Sequence, residues 1–265
     1  MIANNSGRRG ARWLLSMSAC AALMLAAGGQ PAVAAGKAWK VGALEKALAN
    51  PSRPQADRNR DADRKPAQLM TFFGVEPGMT AVDVIAAGGY MTEVLSVTVG
   101  PKGKVYSQNP PAILKMRDGA YDKALGERLN GKRLPNVVRV DGDLPAASEI
   151  PAGSVDVVIT AMNFHDVYNR DPAMGQEFMK SIYTMLKPGG VFGVTDHVGN
   201  DGADNAKLHR VPKHVAEEAA KAAGFVVEAA SDVLAHPADD HTKAVFDPQL
   251  RGKTDQFTLR LRKPK

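Results

Sequence analysis

Thr80-Ala81-Val82-Asp83-Val84-Ile85-Ala86-Ala87-Gly88-Gly89-Tyr90-Met91-Thr92-Glu93 reads as a buried strand, a tight turn and the first turn of a helix. The run from Ala81 to Ala87 is apolar except for Asp83, and it is too short to be a helix of its own. Gly88-Gly89 lets the backbone turn sharply and approach a ligand closely. Thr92 and Glu93 begin a helix whose free N–H groups point back at that turn. Strand, glycine turn and helix N-terminus together seat nucleotide-like ligands in open α/β sheets. The three spaced glycines of a dinucleotide fingerprint are absent, so the stretch taken alone also fits an ordinary strand–helix connection.

Outward from this stretch, strands and helices alternate. Val94 to Val99 continues the first helix, and Pro101-Lys102-Gly103 ends it. Strands are expected at Lys104–Gln108, Asn136–Val140, Ser154–Ala161, Val191–Thr195, Phe225–Ala230 and Gln256–Arg262. Helices are expected from Asn109 to Asn130 with a break at Asp118-Gly119, from Pro172 to Leu186, and from Val211 to Ala223. Lys187-Pro188-Gly189-Gly190 reads as a sharp turn. The alternation predicts a doubly wound α/β fold: a mostly parallel seven-stranded Rossmann-like sheet with helices on both faces.

The start of the chain reads as an export signal. Arg8, Arg9 and Arg12 precede an apolar run from Trp13 to Ala27, and Ala32-Val33-Ala34-Ala35 offers small residues for cleavage. Residues 1–35 hold three basic side chains, no acid and the only cysteine, Cys20. Residues 36–265 carry 31 basic against 28 acidic side chains, so the formal charge of +6 overstates any case for nucleic acid. A cysteine-free exported chain suits an oxidising compartment, and it excludes a catalytic cysteine or a cysteine metal site. We therefore expect a periplasmic or secreted protein with no membrane anchor after cleavage.

Residues 36–78 read as an N-terminal helical appendage, and 79–265 as the α/β domain. Ala38 to Ala49 suits a short amphipathic helix broken by Asn50-Pro51-Ser52-Arg53-Pro54. In the stretch Asp57 to Arg64, Asp57 with Arg60 and Asp61 with Arg64 are spaced to pair on one helix face. That face is either solvated or a lid whose arginines look into the site. Leu69 to Val75 is apolar and would dock on the main domain.

With these residues in view, the chain resembles the class I S-adenosylmethionine-dependent methyltransferases, and within them a branch of exported methyltransferases. The resemblance spans about residues 50–263. It is carried by the opening stretch, by Gly103-Lys104-Val105-Tyr106-Ser107-Gln108-Asn109-Pro110, by Asp141-Gly142-Asp143-Leu144-Pro145 and by Gly153-Ser154-Val155-Asp156-Val157-Val158. The Met185-to-Gly190 turn and the tail from His236 to Phe257 add to it. The resemblance implies S-adenosylmethionine as cofactor, with Asp83 and the loop Ala86, Ala87, Gly88, Gly89 beneath its methionine part. It implies Asn109 on the ribose, in place of the usual acid, and Asp143 on the adenine, with Asp141 as a rival. Met162 and Asn163 would flank the transferring methyl. Ile85 and Ala87 stand where the family has glycines.

Two motifs should reach the carboxyl ends of the strands, where such sheets bind ligands. They are Asn163-Phe164-His165-Asp166-Val167-Tyr168 and Thr195-Asp196-His197-Val198. Methyl transfer needs an aligned acceptor and often a base. His165 suits the base, with Asp166 orienting it or binding substrate, although His165 also suits simple packing and Asp166 a helix cap. His165, Asp166, Asp196 and His197 also form a divalent-metal candidate set, which would point to metal-assisted hydrolysis instead. Tyr168, His209, Arg210, His241 and Arg251 are candidates for a small-molecule acceptor, because the long polar tail could fold over the site. No basic stripe with interleaved aromatics points to nucleic acid. The competing expectation is a non-catalytic protein that binds another small ligand on the same fold.

Overall fold

The computed structural model describes residues 38–144 and 149–265. The stretch read as an export signal lies outside the described residues. Three short helices come first: α1 (Val41–Leu48), α2 (Gln55–Arg64) and α3 (Pro66–Phe73). The alternating part begins with β1 (Thr80–Val84), α4 (Tyr90–Val99), β2 (Lys104–Asn109), α5 (Pro111–Leu129), β3 (Val137–Asp141) and β4 (Val155–Ala161). It continues with α6 (Phe164–Arg170), α7 (Pro172–Met185), β5 (Leu186–His197), α8 (Asn205–Leu208), α9 (Lys213–Ala222), β6 (Val226–Ser231) and β7 (Gln256–Arg262). The break expected in α5 is present, with Met116 to Gly119 out of helical conformation.

The strands form one seven-stranded sheet in the order β3-β2-β1-β4-β5-β7-β6. All neighbours are parallel except β7, which runs antiparallel to β5 and β6. The strand order reverses between β1 and β4, and that gap is where open α/β sheets take their ligands.

Alternation along the strands divides the core into two layers. Val82 and Val84 of β1, Val158 of β4 and Phe192 of β5 face one layer with Phe164, Phe178, Met179 and Ile182. Ala81, Val157 and Ile159 face the other, which contains Leu44, Leu48, Met70, Phe73, Val94 and Leu95. Thus α1 and α3 complete the core on the same face as α4. Gly193 makes this possible: a Cβ there would lie 2.8 Å from the Phe73 ring.

Two local expectations change. The Lys-Pro-Gly-Gly segment belongs to the start of β5, and α7 ends at Met185. Gly189 keeps the left-handed φ of a turn (+79°), but its N–H donates to Lys263 O and Gly190 O accepts from Lys263 N–H, so the pairing runs through the bend. Asp61 does not pair with Arg64. It accepts from Arg53 and from the Tyr90 hydroxyl, because it faces the domain. Asp57 keeps Arg60 at a loose 3.9 Å and meets Arg128 at 2.7 Å.

Candidate active site

The loop after β1 keeps a glycine-like path with few glycines. Ile85, Ala87 and Gly89 have φ of +57°, +49° and +81°. Left-handed backbone costs a non-glycine residue about 1–2 kcal/mol, and a β-branched residue is the least suited to it. Such strain persists only where the surroundings over-determine it. Here side chains from neighbouring strand ends supply that hold. Gln108 Oε1 accepts from Ile85 N (3.2 Å), and Asn163 Nδ2 donates to Ile85 O (3.3 Å). Asn109 grips Ala87 from both sides: its Oδ1 accepts from Ala87 N (2.7 Å) and its Nδ2 donates to Ala87 O (3.3 Å). Arg128 Nε donates to Gly88 O (2.9 Å). Gly89 must lack a side chain, since a Cβ would stand 2.9 Å from Leu125 Cδ1.

This geometry revises two expected contacts. Asn109 is fully buried and both ends of its amide are spent on Ala87, so it serves as a clamp on the loop, not as an open ribose ligand. Asp83 is buried beneath the first turn of α4 and accepts from Thr92 Oγ1 at 2.6 Å, so it supports the loop from below. Burial pushes its pKa up to about 7, against the Thr92 hydrogen bonds that lower it. Ala86 is buried, Ile85 packs on the apolar layer, and Asp143 is exposed beyond β3.

The second half of the site is charged. Asp196, at the end of β5, is wholly buried. Its carboxylate accepts from His165 N (2.8 Å) and His197 N (2.8 Å), and its Oδ1 lies 2.6 Å from His165 Nδ1. His165 therefore has its position and tautomer set by β5, although it sits in the first turn of α6. Its other nitrogen, Nε2, lies 3.3 Å from Asp166 Oδ1. The same oxygen is 2.8 Å from Nδ1 of His209, just past α8. Burial lowers the pKa of His165, but Asp196 and Asp166 outweigh it and raise it to about 10. Burial takes His197 the other way, down to about 4, with Asp196 opposing only in part. Thus His165, Asp166, Asp196, His197 and His209 converge at the carboxyl ends of β4 and β5.

Three of the other expected ligands, Arg210, His241 and Tyr168, are held in structural contacts. Arg210 is fully buried. It pairs with both oxygens of Asp239 (2.9 and 3.0 Å) and donates to Val198 O and Lys243 O. It ties the tail to β5 and is not available to a substrate. His241 places its ring nitrogens 3.0 Å from Asp255 Oδ2 within the tail and 3.1 Å from Asn200 Oδ1 in the segment after β5. Tyr168 packs on Phe164, and a Cβ on Gly175 would collide with it. Arg251 is exposed.

Further residues hold the site from outside, among them Arg60 and Arg64 of the face expected to be solvated or a lid. Arg128 and Arg133 both pair with the buried Glu93, which they keep below the usual carboxylate range despite burial. Arg128 also reaches Asp57 of α2. The guanidinium groups of Arg60 and Arg64 lie 5.0 and 4.8 Å from the Tyr90 ring centre. Gln108 was foreshadowed only by its neighbour Asn109. Arg128, forty residues from the loop it holds, carried no sequence signal.

No family model matches the chain, and no curated protein matches it. Solved structures do. A SAM-dependent methyltransferase from Aquifex aeolicus superimposes with a TM-score of 0.56 at 20% identity, covering 85% of this chain and 99% of that one. The [4+2]-cyclase SpnF superimposes with a TM-score of 0.58 at 19% identity, covering 90% of this chain and 89% of the cyclase. The fold is therefore the Rossmann-like α/β fold of the S-adenosylmethionine-dependent methyltransferases.

Proposed function

We propose that the protein transfers a methyl group from S-adenosylmethionine to a small-molecule acceptor, at oxygen or nitrogen. The observation that carries this reading is the loop after β1. Its three alternate positions, Ile85, Ala87 and Gly89, keep left-handed backbone although two of them are not glycine. A chain with no use for that path would be free to relax it.

The residues that would hold the cofactor are Ala86 to Gly89 beneath the methionine part, Asn163 beside the methyl, and Asp143 at the adenine. Asn109 reaches a ribose only by releasing Ala87. The cofactor supplies an electrophilic methyl; the protein aligns the acceptor and receives its proton. We assign that proton to His165, held by Asp196. His165 takes it up at Nε2 once the acceptor has displaced Asp166 and the proton held there has passed to solvent. We place the activity outside the cytoplasm, with residues 1–35 as a cleaved signal and the helices of 36–78 as an appendage completing the domain.

Isothermal titration of the protein from residue 36 onward with S-adenosylmethionine and S-adenosylhomocysteine tests the reading. Saturable binding that is lost in Asp143→Ala is expected. No heat with either ligand would leave a binding protein for some other small molecule on this fold.

A further inference from the structure

His165, Asp166 and His209 each bring one ligand atom into a group whose members all lie within 4.8 Å of one another. They come from two places in the chain, the first turn of α6 and the residue after α8. Asp166 Oδ1 sits between the two rings, 3.3 Å from His165 Nε2 and 2.8 Å from His209 Nδ1. First-row divalent ions take histidine nitrogen and carboxylate oxygen at about 2.0–2.2 Å, which sets neighbouring ligand atoms roughly 3–3.5 Å apart. The two spacings to Asp166 are close to that, and the two histidine nitrogens, within 4.8 Å of each other, need only close slightly around an ion.

One further feature favours an ion over a chance cluster, and neighbouring rings frame it. The nitrogen of His165 turned away from the cluster, Nδ1, is 2.6 Å from the fully buried Asp196. A carboxylate behind an imidazole is the usual outer support of a metal-bound histidine, because it fixes the ring and presents the far lone pair to the metal. His197 lies beside His165 with ring centres 5.8 Å apart, is 8% exposed, and has a buried Nδ1 with no partner. His209 is braced from outside by Phe246, ring centres 4.8 Å apart. Two imidazoles and one carboxylate leave coordination positions open, a set suited to iron(II), zinc or manganese.

We propose that His165, Asp166 and His209 bind one divalent transition-metal ion, with Asp196 as the support behind His165. The set is not the one expected from sequence. Asp196 is used up as support, and His209, expected on the substrate, supplies the third ligand. This deepens the methyltransferase reading and rests on it only for the use of the ion, which is to hold and polarise the acceptor's hydroxyl at the open positions. The ion changes one step of that reading: while it is bound, His165 is a ligand in place of the base, and the acceptor proton leaves to solvent.

The test uses tag-free protein stripped with a chelator, dialysed, and titrated with zinc(II), manganese(II) and cobalt(II), the last followed by its visible absorption. One ion per chain is expected. His209→Ala and Asp166→Asn should abolish it. Asp196→Asn should weaken it about 10–100-fold without changing the stoichiometry. His214→Ala, on the exposed face of α9, should bind as the parent does. Circular dichroism of each variant separates lost ligands from lost fold. Absence of binding by the folded parent, or unchanged binding by folded His209→Ala, overturns the site. S-adenosylmethionine calorimetry on the same samples keeps the two readings apart. Cofactor binding without metal binding sinks this proposal alone. Metal binding without cofactor binding leaves the site and sinks the methyltransferase reading.

Discussion

The two halves of the site sit about one strand apart and are held in opposite ways. The loop after β1 is fixed mainly by neutral amides: Gln108, Asn109 and Asn163 close on the peptide groups of Ile85 and Ala87. The cluster after β4 and β5 is fixed by charge: Asp196 and Asp166 bracket His165, and Asp166 also holds His209. The amides do not titrate at ordinary pH, and the titrating support of this half is Asp83 beneath the loop, pushed up to about 7 by burial. The cluster also holds left-handed backbone, at His209 (φ +55°), but its state follows pH and cations. A ligand spanning both would meet a rigid seat on one side and an adjustable one on the other.

The largest expected effect tests what anchors the charged half. Arg210→Leu leaves Asp239 buried and unpaired, and should cost about 3–5 kcal/mol in urea unfolding. If Arg210 contacted substrate and did no structural work, stability would hold and only activity would fall. Next, Asn109→Ala strips Ala87 of both partners and should cost about 2 kcal/mol, with loss of cofactor binding. A stable variant that binds normally would mean that the amides do not hold the loop.

The third test separates the halves by pH, in metal-free buffer. His165 has its folded pKa raised from 6.5 to about 10, so its stabilising share is complete below pH 6.5 and fades as pH rises toward 10. His197 has its folded pKa lowered to about 4, so its share is complete above pH 6.5 and fades as pH falls toward 4. Against the parent, His165→Gln should therefore flatten the alkaline limb of Tm against pH, and His197→Gln the acid limb. Asn109→Ala should lower Tm by the same amount across the range. Parallel curves for all three would erase the distinction between the halves. The smallest effect comes from Ala87→Gly. Removing left-handed strain returns about 1–2 kcal/mol, and glycine's freedom in the unfolded chain takes back about 0.4–1. A gain of about 0.5 kcal/mol with unchanged binding is expected.

The strands of the sheet and the position of its ligand gap follow from local pattern, because alternation and apolar runs need only neighbours in sequence. Strand β7 falls where its residues say, from Gln256 to Arg262. The Lys-Pro-Gly-Gly segment does not, because its pairing with Lys263 depends on a strand seventy residues later. The loop after β1 was legible as a turn. Its grip by Arg128 was not, because nothing near Arg128 marks the place to which a folded chain carries it.

Sequence by itself thus determined the seven strands, the helices α4, α5, α7 and α9 between them, the diglycine bend and the supply of His165, Asp166, Asp196 and His197 to the strand ends. Tertiary structure alone decided which of the polar residues gather at the strand ends and which brace the protein. It turned Asn109 onto the loop, buried Arg210 in the tail, and brought His209 to Asp166. The physical reason is that residue type sets what a side chain can bond. Which partner it meets depends on contacts between residues far apart in the chain, and no local spacing encodes them.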